Sequence, residues 1–163
     1  MAAGCTPPVL YYTFENGSGT TVTDRSNAGN ALDGTFNGTW DSTNYKRGIF
    51  SAQFAACQAV GNGSTTPGPL PIGDASTFNF MHQECIWTVS MWLRPTTLGY
   101  QGICGNTTGG ANGCLIMYNG GIRVLGAGRD INPFSSSTLT LNTWTHVLLT
   151  CHGPGAGNFK LYL

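Results

Sequence analysis

The residues that could do chemistry are few and scattered. The glutamates are Glu15 and Glu84, far apart in a chain with 7 Asp+Glu in all. Cleaving a glycosidic bond with retention needs two carboxyl groups about 5–5.5 Å apart. A strand supplies such a pair by carrying acids at alternate positions, and no segment here does so. Nucleophilic catalysis fares no better. There is no Gly-x-Ser-x-Gly elbow. Cys151 precedes His152, but adjacent strand residues point to opposite faces, so the imidazole would not reach the thiol. His146 reads as a packing or hydrogen-bonded histidine. His82 and Cys85 lack identifiable metal partners, and no Cys-x-x-Cys occurs. Gly17-Ser18-Gly19 and Gly153-Pro154-Gly155-Ala156-Gly157 read as turns, because phosphate loops need fuller spacing and a following helix. The expectation is a protein without catalysis.

Two groupings suit binding. Asp24, Ser26, Asn27 and Asn30 cluster in one turn. Hard cations take several oxygens from carboxylates, amides and carbonyls, so calcium is the one cofactor this turn suggests, and none is required. The same residues also suit an Asx-turn, in which Asp24 accepts backbone N–H bonds. Sugar recognition needs exposed aromatics beside amides and hydroxyls. Trp40, Tyr45 and Tyr100 fall in loops with Asp41, Asn44 and Gln101 nearby, and they are the ligand-binding candidates. Each aromatic could equally cap a loop cluster. Asn-x-Ser/Thr sequons begin at Asn16, Asn37, Asn62 and Asn106, all in predicted turns.

The elements that would hold these groups are strands. The chain has 163 residues, 24 of them glycine, and only 9% are charged, with 7 Lys+Arg balancing the acids. The surface is solvated by hydroxyls and amides. That composition gives no basic footprint for nucleic acid and no polybasic stretch for a membrane, and no apolar run is long enough to span one. Glycine and proline interrupt most helical windows. Short runs bounded by Gly, Asn, Asp and Pro read as strands. They are Val9–Phe14, Ile49–Phe54, Ile86–Arg94, Gln101–Gly105, Cys114–Tyr118, Ile122–Leu125, Trp144–Cys151 and Phe159–Leu163. In the third, Trp87, Val89, Met91 and Leu93 share one face, and Thr88, Ser90, Trp92 and Arg94 the other. Asn119-Gly120-Gly121 marks a hairpin.

Six cysteines admit many pairings. The strand reading proposes three disulfides. Cys104 and Cys114 would face each other in a hairpin. Cys85 and Cys151 would flank antiparallel neighbours, with 88 near 148 and 85 near 151. Cys5 and Cys57 would lie beside the first strand and the one containing Phe54. Buried thiols are the alternative.

Several segments in order resemble the laminin-G-like, concanavalin A-like jelly-roll domains. They are Tyr12-Thr13-Phe14-Glu15, the turn from Val22 to Ala31, Lys46 to Phe54, Trp87 to Pro95, Asn142 to Val147, and Phe159 to Leu163. The resemblance implies an all-β antiparallel sandwich formed by one domain over residues 1–163. Family position and strand placement put Trp92 and Trp144 in the core, Trp87 reads as core too, and the family often binds calcium at the sandwich rim. The family pattern continues past Leu163, so its C-terminal strands are expected to be missing and the sheet open at that edge. Ala2-Ala3-Gly4-Cys5 has the look of a lipoprotein cleavage site without the apolar stretch that normally precedes it. The expected function is a non-enzymatic binding or adhesion module, extracellular or on a virion or other particle surface, that recognises glycan or surface protein through its loops. The alternatives are a virion decoration protein or appendage subunit that self-assembles through the open edge, and an accessory carbohydrate-binding domain of a larger enzyme. Neither nucleic-acid binding nor membrane insertion is expected.

Overall fold

A computed structural model describes residues 7–29, 32–54, 70, 72, 75–99, 101–105, 114–126, 129–131 and 138–163. The chain forms two compact units, the first drawn from residues 1–55 and 67–73, the second from 56–66 and 74–163. Every strand pairing among the described residues is antiparallel.

The first unit holds four short strands: β1 (Thr21–Val22), β2 (Gly34–Thr35), β3 (Thr39–Asp41) and β4 (Ser51–Gln53). β1 pairs with β2, and β3 with β4. Strands of two or three residues carry few ladder bonds, so aromatic packing holds this unit. Buried Phe36 lies 4.5 Å from Trp40 and 5.5 Å from Phe54, ring centre to ring centre. Phe54 meets Phe14 edge-on, and Phe14 meets Tyr12 in the same way. The expected strand over Val9–Phe14 reduces to a single bridge between Tyr12 and Asp24. The expected strand over Ile49–Phe54 reduces to β4, because Gly48 takes a positive φ of 71° and residues 48–50 belong to the loop before it.

The second unit is a two-layer sandwich. A 3₁₀ turn (Ala75–Phe78) and a short helix, α1 (Phe80–Gln83), lead into β5 (Ile86–Leu93). Then come β6 (Gln101–Gly105), β7 (Cys114–Tyr118), β8 (Ile122–Gly126), β9 (Arg129–Ile131), β10 (Thr145–His152) and β11 (Phe159–Tyr162). One sheet runs β11-β10-β5 and the other β6-β7-β8-β9. Side chains of both sheets share one core: Trp87, Val147, Leu149 and Cys151 from the first, Cys114, Ile116, Tyr118, Ile122 and Val124 from the second. This is the period-2 pattern seen in the sequence, with one face of each strand buried. Trp87 anchors the entry to β5, since its indole N–H donates to the Met81 carbonyl at 2.9 Å.

Three expectations need correction here. The pairing of β5 with β10 puts Thr88 opposite Thr150, so 88 does not face 148. The slip is two residues, which keeps every side chain on its expected face. In β6 and β7, Cys104 stands opposite Ile116, because a register shift lies between Gly102 and Cys104. Cys104 is therefore diagonal to Cys114. Trp92 and Trp144 lie outside the core cluster and are half-buried. Trp92 shares the opposite face of β5 with Ser90, as the alternation demands.

Candidate functional site

The loop between β3 and β4 brings together four of the six ligand-binding candidates: Trp40, Asp41, Asn44 and Tyr45. Asp41 ends β3 and organises the turn after it. Its Oδ1 accepts from the Thr43 amide and hydroxyl, both at 2.7 Å, and from the Asn44 amide at 3.0 Å. Its Oδ2 accepts from Asn44 Nδ2 at 3.0 Å. The Thr43 hydroxyl, the Asn44 and Thr43 amides and the Asn44 side chain together hold the Asp41 carboxyl far below its ordinary range. The far side of the loop is tied as well. Ser51 donates its hydroxyl to the Asn44 carbonyl at 2.7 Å, and Ile49 donates its amide to Glu15 Oε2 at 2.9 Å. Tyr45 stands 43% exposed on this braced turn. Trp40 is committed differently: it packs on Phe36 and donates its indole N–H to the Gly19 carbonyl at 2.9 Å, so it braces the loop from below.

Sequence reasoning gives Glu15 and Gly48 no part in this loop. A Cβ at Gly48 would sit 2.0 Å from Glu15 Oε1, so glycine is what lets the carboxylate reach Ile49. The one local signal is a glycine directly after Lys46-Arg47, in a segment otherwise read as strand.

The Asp24 turn folds as an Asx-turn. Asp24 Oδ1 accepts from the Tyr11 amide at 3.0 Å and the Ser26 amide at 2.9 Å. Oδ2 accepts from the Ser26 hydroxyl at 2.9 Å and the Leu32 amide at 3.2 Å. Partial burial pushes this carboxyl up, and the hydrogen bonds from Tyr11, Ser26 and Leu32 outweigh it, leaving the group below its ordinary value. The Tyr12 hydroxyl donates to the Leu32 carbonyl. Its pKa is driven well up, first by burial and then by the charges of Asp24 and Asp33. Ser26 is buried, Asn27 is exposed with φ 55°, and Asn30 lies outside the described residues. As folded, the one carboxylate at the centre of the turn accepts four donors. Among the described residues no group of three or more His, Cys, Asp or Glu is placed to hold a metal.

Asp24→Ala is expected to lower stability by about 2 kcal/mol, since it leaves half-buried N–H donors without acceptors. Thermal unfolding of the two proteins checks this. A carboxyl with a depressed folded-state pKa contributes fully above its ordinary value. The difference should therefore persist at neutral pH and vanish only as pH falls well below 3.8.

On the solvent face of β5 and β10, Ser90 Oγ lies 2.9 Å from His146 Nε2. The His146 ring packs on Trp92 at 5.1 Å. His146 is thus hydrogen-bonded and packed, in agreement with its strand position. The Ser–His pair resembles half of a nucleophilic site, but its hydrogen bond to Ser90 and its stacking on Trp92 include no orienting carboxylate. Gln101 belongs to the second unit, where its side-chain amide donates to the Thr97 hydroxyl at 2.8 Å. Tyr100, Cys5 and Cys57 lie outside the described residues. Cys85, Cys104, Cys114 and Cys151 carry thiols.

No helix among the described residues is long and apolar enough to cross a membrane. The family model of the concanavalin A-like lectin/glucanases superfamily, in its laminin-G form, matches residues 61–163, which is more than half of the chain. No curated protein and no solved structure gives a significant match.

Proposed function

Because the chain belongs to the concanavalin A-like lectin/glucanases superfamily, we propose that it is a non-enzymatic binding module, acting outside the cell or on a particle surface, that recognises its ligand through its loops. The supporting observation is the β3–β4 loop, which Asp41, Ser51 and Glu15 tie at both ends and which carries exposed Tyr45. A loop already held in one conformation loses little entropy on binding. A phenol offers a ring face for stacking and a hydroxyl for hydrogen bonding, a combination that suits a sugar. A protein surface is the second ligand class.

Two of the seven acids, Asp24 and Asp41, are unsuited to hydrolysis. A glycosidase keeps one carboxyl protonated by raising its pKa. Asp24 and Asp41 are pushed the other way, and all their oxygens serve turns. Binding to a glycan array, with calcium and then with a chelator, tests the reading. We expect the same glycans to be bound in both conditions, because the Asp24 carboxylate is already committed. Loss of binding in chelator would contradict this, and no glycan bound in either condition would remove the sugar reading.

A further inference from the structure

The four described cysteines converge on one end of the sandwich core, and the binding reading makes no use of them. We propose that this cluster is a disulfide site, at which oxidative folding joins Cys85 to Cys151 within one sheet and Cys104 to Cys114 within the other.

The backbone brings each pair together. Cys151 lies on the buried face of β10, opposite Trp87. Cys85 directly precedes β5 in a left-handed conformation, φ 54°, with its side chain buried. Gly153 donates its amide to the Cys85 carbonyl at 2.7 Å, which extends the β5–β10 ladder by one rung and fixes Cys85 diagonal to Cys151. In the reduced chain the Cys85 thiol donates to the His82 carbonyl at 3.4 Å and the Cys151 thiol to the Gly153 carbonyl at 3.3 Å. On the other sheet, Cys104 stands opposite Ile116, and Cys114 lies two residues away on the same face. All four cysteines belong to or pack against the same core cluster. Diagonal neighbours in a ladder stand roughly 7–8 Å apart at Cα, beyond the roughly 4.4–6.8 Å a disulfide spans, so each bridge requires the backbone to move. Both pairs include a residue at or just outside a strand end, Cys85 before β5 and Cys114 at the start of β7, and that is where the movement would occur.

The chemistry balances with a small-molecule disulfide as oxidant. One cysteine thiolate attacks oxidised glutathione, forms a mixed disulfide and releases one glutathione thiolate. The second cysteine thiolate attacks the mixed disulfide, closes the S–S bond and releases the other. Each bridge costs the protein two hydrogens and the electron pair that reduces the oxidant. Timing is set by burial. The thiolate is the nucleophile, and burial pushes Cys104 and Cys114 up to about 12. Once folded and reduced, these thiols exchange very slowly. The bridges therefore form while the chain is still open.

The test is to refold the full chain in a mixture of oxidised and reduced glutathione and to digest the folded fraction without reduction. Mass spectrometry should find Cys85 linked to Cys151 and Cys104 linked to Cys114. In Cys151→Ala, the Cys104–Cys114 bridge should remain and Cys85 should become a thiol alkylated on denaturation. Chain folded under reducing conditions should resist alkylation at Cys85, Cys114 and Cys151 until it is denatured. Folded protein with four thiols after refolding, or pairing of Cys114 with Cys85 or Cys151, would overturn the proposal.

Discussion

Leu149→Ala should lower the unfolding free energy by about 3 kcal/mol, within the range of roughly 2–5 for large-to-small core changes. β10 is the middle strand of its sheet, paired with β5 on one side and β11 on the other. Leu149 stands opposite both Val89 and Leu161 and is fully buried. Removing its branched end leaves a void between the two sheets, and strands held by ladders on both sides cannot move in to fill it. For a chain of this length each kcal/mol shifts the melting temperature by roughly 2–4 °C, so a fall of about 6–12 °C is expected by calorimetry. The neighbouring change Leu148→Ala faces the other side of the same strand and should cost far less. Equal losses at 148 and 149 would mean that the face assignment is wrong.

Gly48→Val should have the largest effect on the loop. At φ 71° a β-branched residue is strained in any surroundings. The new Cβ would also meet the Glu15 carboxylate, with Oε1 2.0 Å from its ideal position. Glu15 can swing away, but only by giving up its bond to the Ile49 amide. The expected cost is about 2 kcal/mol from strain and the lost charge-assisted bond together. Ligand affinity should fall with it, because Tyr45 is no longer held. Gly48→Ala should show the same pattern at smaller size. Glu15→Gln keeps an acceptor for Ile49 and should stay near wild type. Thermal melts and hydrogen exchange at Ile49 report both arms.

The second unit is far more legible in the sequence than the first. β5, β10 and β11 each alternate over four to eight residues, enough for a period of two to be seen. A register error of two residues between β5 and β10 leaves the buried face unchanged, since side-chain direction repeats every second residue. β1, β2 and β9 span two or three residues and carry no period at all. α1 is a single turn without a capping side chain, so it leaves no signal either. Family position and strand placement both put Trp92 in the core, and it lies outside the core cluster on the face of β5 opposite Val89 and Met91.

The site is legible in its residue types and less so in its roles. Asp41, Asn44 and Tyr45 lie together because they are close in sequence and Asp41 ties Asn44 back to the end of β3. Neither the role of Trp40 as a brace nor the reach of Glu15 across 34 positions in sequence can be seen without the fold. Asp24 offers two readings from the same atoms, and the four donors on its carboxylate are those of the turn.

The central claim is that this braced loop presents Tyr45 to a ligand. Its most direct test is to titrate a glycan bound on the array against wild type and Tyr45→Ala, with thermal melts run alongside. Tyr45 is exposed at the loop tip, so the variant should melt within about 1 °C of wild type, as surface changes usually do. Its affinity should fall at least tenfold, on the order of the 1.4 kcal/mol that one stacked aromatic supplies. Unchanged affinity in a folded Tyr45→Ala protein would contradict the account.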